Sequence, residues 1–219
     1  MSLQQIAIYG AGGFAREVAW LARSCSRTDR EYKVVCFIDD NESTHGMSIN
    51  NIPVISLDTA SSRFPNALVV GGIGTPQTRQ VVMEKATANG FSFATLIHPN
   101  VEHSGWLEIG NGTVICAGNI LTTNIVLGNH VQINLDCTIG HDVVMGDYTT
   151  LAPGVHVSGW VHFGARAYVG TGAVIINGTE SEPLLIGDDA IIGAGSCVTK
   201  PVRNGAVVVG VPAREIRKV

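Results

Sequence analysis

The sequence predicts a small α/β domain with a parallel sheet, followed by a solenoid of short strands. Over residues 1–97, apolar strand-like runs alternate with helical segments, which is typical of a parallel sheet with helices on its faces. Over residues 98–219, apolar residues recur at intervals of six, a period that neither a helix nor a simple strand produces. The chain is therefore predicted to divide into two domains between residues 97 and 98.

The composition narrows the classes of protein to which the chain can belong. A charged fraction of 15% with 45% hydrophobic residues excludes a disordered protein, and 219 residues suffice for two small domains. A net charge of −4 argues against non-specific nucleic-acid binding, and the sequence lacks the run of about 18 apolar residues that a membrane span needs. Five cysteines without a CxxC pair, and a start without signal-peptide features, lead us to expect a reduced, cytoplasmic protein.

The elements of the first domain follow from its apolar runs and from the turn residues between them. Thr75 and Pro76 suit the N-cap and the first position of a helix, and glycine or aspartate follows three of the strands. Strands are predicted at residues 5–9, 33–38, 67–70 and 91–97, and helices at residues 14–24 and 76–89.

A glycine-rich turn, residues 10–13 (GAGG), joins the first strand to the first helix. Glycines there let the backbone approach a phosphate, and a helix N-terminus favours an anion. Because the domain is about half of a full dinucleotide-binding fold, the mononucleotide part of a sugar nucleotide fits it better than a dinucleotide. A tight strand-to-helix turn without a ligand is the alternative interpretation.

Two aspartates and two glycines end the next two strands. Asp39 and Asp40 lie at the edge where open α/β sheets bind ligands, and their carboxylates can accept hydrogen bonds from a base or a ribose. A turn closed by an Asx hydrogen bond is the alternative for this pair. Gly72 and Gly74 end the third strand and are predicted to face the same crevice.

The solenoid is predicted from its six-residue repeat. The residue two places before each repeat position is mostly small or β-branched, and the residue after it is often glycine, which we attribute to tight turns with positive φ. Three hexads make a triangular coil of eighteen residues, so about five coils fit. The inward positions are Ile109, Ile115, Leu121, Leu127, Ile133, Ile139, Met145, Leu151, Val157, Phe163, Val169 and Ile175, followed by Ile186, Ile192 and Val198.

The repeat loses its phase at residues 177–185. Eleven residues separate Ile175 from Ile186, where six or twelve would keep the period. Insertions in solenoids lie on one face and often line a site, so a protruding loop is predicted here.

His141-Asp142 is the strongest candidate for chemistry in the second domain. His141 follows the inward Ile139 by two residues, so it is predicted to lie at a coil corner and to point outward. Histidine is the usual base for acyl transfer to an amine, and an ordinary histidine on a solvated turn is the alternative. Residues eighteen apart stack in the coil and no two histidines have that spacing, so no metal site is expected within one subunit.

The repeat also carries a family resemblance. It resembles that of the hexapeptide-repeat acyltransferases, whose coils form a left-handed parallel β-helix, and residues 210–213 (GVPA) resemble their closing motif. The whole chain is similar to bacterial sugar acetyltransferases of the sialic-acid O-acetyltransferase type, and most of all to the N-acetyltransferases for nucleotide-linked 4-amino sugars. The resemblance implies acetyl-CoA-dependent N-acetylation of such a sugar for bacterial surface glycan biosynthesis.

The same resemblance implies roles for individual residues. His141 would be the catalytic base, Asp142 the acidic residue that strengthens it, and the Gly159 amide a donor to the oxyanion. The nucleotide sugar would contact Gly12, Gly13, Phe14, Asp39 and Asp40. Acetyl-CoA would contact Thr150, Thr171 and Ala194, while Arg203, Arg214, Arg217 and Lys218 either bind its phosphates or are ordinary solvated charges.

The resemblance further implies a homotrimer with active sites at the subunit interfaces. Apolar residues outside the repeat are predicted to line those interfaces, among them Trp106, Val126, Val144 and Trp160. Two other functions stay open: an O-acetyltransferase for a free or polymer-linked sugar, and a structural β-helix without catalysis. The sequence does not determine which base the nucleotide carries or which amino sugar is modified.

Overall fold

The computed structural model describes residues 2–26 and 30–216, so Arg217 and Lys218, predicted as charges for CoA, lie outside the described residues. The chain forms two compact units, residues 1–99 and residues 100–219. Among the described residues, no helix has the length and apolarity required to cross a membrane.

The first unit is a parallel sheet with helices, as predicted. The strand order is β3-β4-β2-β1-β5, so β2 lies at the centre, in parallel pairing with β4 on one side and with β1 on the other, and β1 also pairs in parallel with β5. The helix α1 packs an apolar face that includes Ala15, Val18 and Ala22. The elements are β1 (Ser2–Tyr9), α1 (Gly13–Ser24), β2 (Arg30–Ile38), a 3-10 turn (Glu42–Thr44), β3 (Ser48–Ile49), β4 (Ile52–Ile55), α2 (Leu57–Arg63), β5 (Leu68–Gly71), α3 (Pro76–Ala88) and β6 (Leu96–Ile97).

Residues 41–66 contain structure that the sequence analysis did not predict. β3 and β4 form an antiparallel hairpin whose two-residue turn, Asn50-Asn51, has positive φ at both positions (51° and 64°). Asparagine tolerates this left-handed conformation, and a two-residue hairpin turn requires it. The strand predicted at residues 91–97 is also shorter than expected, since only Leu96–Ile97 and a single bridge between Val69 and Phe93 are formed.

The second unit is a parallel β-helix, which confirms the interpretation of the six-residue repeat. Its strands stack in three sheets, and partners in successive coils are eighteen residues apart, as in the pairing of Thr138 with His156. The repeat positions from Ile115 to Val198 are all at most 4% exposed, and only Ile109 in the first coil is partly exposed. The strands are β7 (Glu102–His103), β8 (Leu107–Ile109), β9 (Val114–Ile115), β10 (Ile120–Leu121), β11 (Ile125–Leu127), β12 (Gln132–Ile133), β13 (Thr138–Ile139), β14 (Val144–Met145), β15 (Thr150–Leu151), β16 (His156–Val157), β17 (Val161–Phe163), β18 (Tyr168–Val169), β19 (Val174–Ile175), β20 (Leu184–Ile186), β21 (Ile191–Ile192), β22 (Cys197–Val198), β23 (Val207–Val209) and β24 (Arg214–Ile216).

The glycines that follow repeat positions do not have the positive φ predicted for them. A glycine that follows a repeat position, such as Gly140, does not have positive φ; instead, a β-carbon there would lie 2.6 Å from the backbone nitrogen of Gly159 in the next coil. These glycines are therefore required by close approach between coils. Positive φ occurs two residues later, at glycines and at non-glycine residues that include Asn124, His130, Asp136, Asp142, Tyr148, Trp160, Arg166 and Asp189.

One corner of the coil carries a ladder of side-chain hydrogen bonds. Asn129 Oδ1 accepts from the backbone N–H of Asn111, and Asp147 Oδ1 accepts from the backbone N–H of Asn129. The Nδ2 of Asn129 also donates to Asp147 at 3.4 Å. These bonds satisfy backbone donors that turn away from the strands.

The predicted loop is an insertion into a single coil. β17 pairs with β20 at a separation of 23 residues, as in Val161 with Leu184, where the coils before it have eighteen, as in Val144 with His162. The insertion lies between β19 and β20, and a reciprocal pair of backbone hydrogen bonds between Thr179 and Glu182 closes its turn. The predicted bounds of 177–185 extend two residues too far, because Leu184 and Leu185 already belong to β20.

Candidate active site

His141 lies at a coil corner with its side chain 54% exposed. It stacks between Thr123 in the preceding coil and Gly159 in the following coil, as the spacing of eighteen predicts. The strand β13 ends two residues earlier with the inward Ile139, so the chain turns outward at this corner. The histidine is therefore held on a rigid scaffold and its ring is open to solvent.

Asp142 binds the imidazole of the residue before it. Its Oδ2 lies 2.7 Å from Nδ1 of His141. Asp142 has φ of 58°, a left-handed conformation, and this local turn accompanies the close contact between adjacent side chains. A carboxylate on Nδ1 selects the tautomer with a proton on that nitrogen, and the lone pair of Nε2 is then available to accept a proton.

Gly159 and Trp160 form the floor and the edge of this corner. A β-carbon at Gly159 would lie 2.5 Å from Cε1 of His141, so the imidazole rests directly on the glycine. Within the described residues, the N–H of Gly159 donates no hydrogen bond, which leaves it available to an oxyanion. Trp160 packs its ring against His141 at 84° and 6.2 Å between centroids, so a residue predicted only for an interface contacts the candidate base.

The inserted loop begins at the same corner. Gly178 donates its backbone N–H to the carbonyl of Gly159 at 3.1 Å, and Leu184 donates to the carbonyl of Trp160 at 2.9 Å. Both ends of the loop are therefore attached to the two residues that support His141.

Two of the buried cysteines, Cys36 and Cys137, do not provide an activated nucleophile. Burial raises the pKa of the Cys137 thiol to about 11 and that of the Cys36 thiol to about 12, so both thiols stay protonated near neutral pH. No disulfide forms among the five cysteines. The residues that the structure describes also contain no group of three or more His, Cys, Asp or Glu side chains that could hold a metal ion.

In the first unit, the N-terminus of α1 is open at the carboxyl end of β1. Gly12 is the N-cap, and a β-carbon there would meet nothing within 4 Å. Gly13 is likewise exposed and meets only the end of the Arg16 side chain, at 3.8 Å. Phe14, the third residue predicted here, is partly exposed. The first turn of α1 has no acidic residue, so its backbone donors suit an anion.

The two glycines that follow β5 differ in environment. Gly72 is buried, and a β-carbon there would come within 2.7 Å of Ile8 and 2.8 Å of Ala15. Its position is needed for close packing of α1, and it does not face a crevice. A β-carbon at Gly74 would meet nothing within 4 Å, while the carbonyls of Gly74 and Ile73 accept hydrogen bonds from the guanidinium of Arg79.

Arg79, which was not among the predicted residues, is buried with 1% of its surface exposed. Arg79 lies three residues before Val82 and four before Met83, on the buried face of α3. This helical spacing indicates a buried arginine and could have been read from the sequence. The guanidinium donates hydrogen bonds to backbone carbonyls of the loop that follows β5 and so fixes that loop.

The two aspartates after β2 have different partners. Asp39 Oδ1 accepts from the backbone N–H of Asn41 at 2.8 Å, which is the Asx turn considered as the alternative. Asp40 accepts from the hydroxyl of Tyr9 at 2.6 Å and from Lys85 at 2.5 Å. Burial acts to raise the pKa of Asp40, but the bonds from Lys85 and Tyr9 outweigh it and hold that pKa below its usual value. Burial, and then the bond to Asp40, raise the pKa of Tyr9.

The positions predicted for acetyl-CoA differ in their exposure in the isolated chain. Thr171 and Ala194 are exposed and occupy equivalent positions in consecutive coils, since the pairs Val169–Ile192 and Thr171–Ala194 share one register. Thr150 is only 6% exposed. Arg214 is exposed on β24, and Arg203 already forms an ion pair with Glu215 at 2.7 Å.

The comparisons with known proteins agree with this architecture. A family model described as the PglD N-terminal domain matches residues 5–86. The GDP-perosamine N-acetyltransferase of Escherichia coli O157:H7 is 34% identical over 214 residues, which cover 96% of each chain. The chain belongs to this family of hexapeptide-repeat sugar acetyltransferases.

Solved structures extend the likeness to proteins with bound ligands. A histidine-to-asparagine mutant of perosamine N-acetyltransferase from Caulobacter crescentus, in complex with CoA and GDP-perosamine, is 27% identical with a TM-score of 0.86 and 97% of each chain covered. The acetyltransferase domain of PglB from Neisseria gonorrhoeae FA1090, in complex with acetyl coenzyme A, is 30% identical with a TM-score of 0.86, over 98% of this chain and 100% of that chain. As a member of the family, this chain is an acetyl-CoA-dependent acetyltransferase.

Proposed function

We propose that this acetyltransferase transfers the acetyl group of acetyl-CoA to the amine of a nucleotide-linked 4-amino sugar, with His141 as the general base. The observation that carries the proposal is the 2.7 Å contact between His141 Nδ1 and Asp142, on an exposed corner whose floor is a glycine. A GDP-linked sugar is the first candidate, because the relatives from Escherichia coli and Caulobacter crescentus carry GDP-perosamine in their names or complexes.

The proposed reaction is direct transfer. Nε2 of His141 removes a proton from the amine as the nitrogen attacks the acetyl carbonyl, and a backbone N–H such as that of Gly159 stabilises the oxyanion. When the intermediate collapses, the carbon–sulfur bond breaks and the imidazolium returns the proton to the CoA thiolate. The products are the N-acetylated sugar nucleotide and CoA. Asp142 stabilises the imidazolium that exists between the two proton transfers.

The first unit is proposed to bind the nucleotide at the open N-terminus of α1. Exposed backbone donors at Gly12 and Gly13 suit the phosphates. Asp39 and Asp40 follow β2, at the carboxyl edge of the same sheet. Each carboxylate already accepts a hydrogen bond within the protein, so a base or ribose would have to share its oxygens. The product is proposed to supply a bacterial surface glycan.

A homotrimer with shared active sites is part of the proposal. Apolar side chains remain exposed on the outer faces of the β-helix, with Trp106 at 72% and Leu185 at 53%. Val126 is 38% exposed, while Val144 and Trp160 are partly exposed. Val126 and Val144 are direct partners in successive coils, and exposed apolar patches are typical of an interface.

The test is a transfer assay with acetyl-CoA and 4-amino sugars linked to GDP, UDP or dTDP, using wild type, His141→Asn and His156→Asn. His156 is an exposed histidine of the same β-helix that bonds Thr138, and it serves as the control. We expect His141→Asn to reduce kcat at least a hundredfold and His156→Asn to retain it. Near wild-type turnover in His141→Asn would exclude this residue as the base.

The same assay separates the rival functions. A 4-hydroxy analogue accepted in preference to every 4-amino sugar would favour an O-acetyltransferase. Absence of transfer to any acceptor despite CoA binding would favour a non-catalytic β-helix. Thermal shifts with each nucleotide sugar identify the base, because a ligand of the folded state raises its stability.

A further inference from the structure

Asn124 contacts Asp142 across the stack of coils. The two residues are eighteen apart, and both have left-handed backbones with φ of 55° and 58°. Nδ2 of Asn124 donates to Oδ1 of Asp142 at 3.2 Å. The hydroxyl of Thr123 donates to Oδ1 of Asn124 at 3.4 Å, and this bond directs the NH2 group toward the carboxylate.

Both oxygens of Asp142 are therefore engaged. Oδ1 accepts from Asn124, and Oδ2 contacts Nδ1 of His141. The contact with His141 is open to water, since the side chains are 54% and 22% exposed, and exposed pairs are weakened by solvent and by rotamer entropy. A second donor limits rotation of the carboxylate and keeps Oδ2 in line with the imidazole.

We infer that Asn124 is a positioning residue for the general base, acting through Asp142. The inference rests on the proposed function of His141. Asn124 does not contact the imidazole; its effect is to fix the carboxylate that selects the reactive tautomer. The predicted consequence is a change in the proton-transfer chemistry rather than in ligand binding.

The chain offers a matched control. Asn129 and Asp147 form a second Asn–Asp pair eighteen residues apart, with a 3.4 Å bond from Nδ2 to Oδ1, at a different corner. The side chain of Asp147 accepts from Asn129 rather than from a histidine, so loss of this amide removes a comparable hydrogen bond, together with the acceptor for the Asn111 N–H, without touching the base. A structural role common to both asparagines would affect both variants alike.

The experiment compares Asn124→Gly with Asn129→Gly. Glycine keeps the left-handed backbone at position 124 free of strain, so the change removes mainly the amide. We expect Asn124→Gly to lower kcat about tenfold with the KM of both substrates unchanged. The acidic limb of its pH–rate profile should move to lower pH, because a displaced carboxylate stabilises the protonated imidazole less. Asn129→Gly should retain the wild-type kcat and profile.

A second variant keeps the side-chain size. Asn124→Asp replaces the donor with a carboxylate facing Asp142, and the two negative charges repel when both are ionised. We expect its kcat deficit to grow toward alkaline pH and to shrink toward acidic pH, where a shared proton restores a donor.

Identical kcat and pH profiles for the Asn124 and Asn129 variants would overturn the inference, as would a wild-type profile in Asn124→Asp. These outcomes are distinguishable from failure of the proposed function. In that case, His141→Asn would itself retain turnover. An inactive His141→Asn beside a normal Asn124→Gly refutes only the role of Asn124.

Discussion

Gly159 lies directly against the imidazole of His141: a β-carbon at position 159 would be 2.5 Å from Cε1 and 2.6 Å from Nε2 of that ring. Any residue with a β-carbon would fit at position 159 only if the imidazole moved. The absence of a side chain at one coil position thus determines where the ring lies in the coil before it.

Gly159→Ala should therefore impair catalysis more than stability. We expect kcat to fall by more than tenfold because the ring must shift from its position beside Asp142, and misplacement by about 1 Å can cost a hundredfold. Gly105→Ala is the control, since Gly105 occupies the same corner three coils before Gly159 and a β-carbon there would meet nothing within 4 Å. The kcat and the melting temperature of Gly159→Ala and Gly105→Ala are to be compared. Equal kcat values for the two variants would contradict the prediction.

Asp142→Asn should disable the base while preserving the shape of the corner. The amide NH2 can donate to Nδ1 of His141, which favours the tautomer whose Nε2 already carries a proton. We expect kcat to fall at least a hundredfold with little change in KM. Asp136→Asn changes another carboxylate with a left-handed backbone, φ of 57°, and should retain activity. Retention of activity by Asp142→Asn would mean that the carboxylate does not select the tautomer.

Much of the solenoid could be predicted from sequence because its inward positions obey a strict period. The same period placed His141 over Gly159, and it should have led to Asn124, eighteen residues before Asp142. The reason for the glycines after repeat positions could not be obtained this way, since backbone contact between coils depends on coordinates. Short elements such as the β3–β4 hairpin were missed because Asn50-Asn51 lacks the glycine that usually marks such a turn.

The glycines of the first unit should separate stability from binding. Gly72→Ala places a methyl group within 2.8 Å of Ala15, and overpacking of this kind costs about 1–3 kcal/mol. Gly12→Ala meets open space at φ of −80°, so its stability should change by less than about 1 kcal/mol. Its methyl group would instead obstruct an anion at the α1 N-terminus. Urea unfolding and nucleotide-sugar titrations of both variants test this; a destabilised Gly12→Ala with normal binding would reverse the assignment.

The Asp40 network should give the first unit a pH-dependent stability. The pKa of Asp40 in the folded chain is lower than its usual value of 3.8, so ionised Asp40 stabilises the fold above that pH and the contribution is lost as the pH falls through the lowered pKa. Asp40→Asn should reduce stability at pH 7 by no more than about 1 kcal/mol, because the pair with Lys85 is exposed. The difference from wild type should vanish near pH 2. Melting temperatures across this range, with Lys85→Met as the partner variant, measure it; a constant difference would rule out this linkage.

Shortening the loop should spare the fold and alter the kinetics. Removing residues 179–183 reduces the 23-residue coil to the eighteen residues of its neighbours. We expect a melting temperature close to that of wild type, because the deleted side chains are outside the apolar interior. The kcat/KM for the amino sugar should fall, since both loop ends bond to Gly159 and Trp160. An unchanged kcat/KM for the acceptor would show that the loop has no part in catalysis.

A coil that resumes its strand pairing after an insertion allows one edge of the enzyme to evolve separately from its interior. In a closely packed core, a single added methylene group disturbs the packing of the surrounding side chains. Between Ile175 and Leu184, in contrast, the two flanking strands keep their partners although the segment that joins them is longer than in the preceding coils. The length and charge of this segment can therefore vary without retuning the scaffold that holds the histidine.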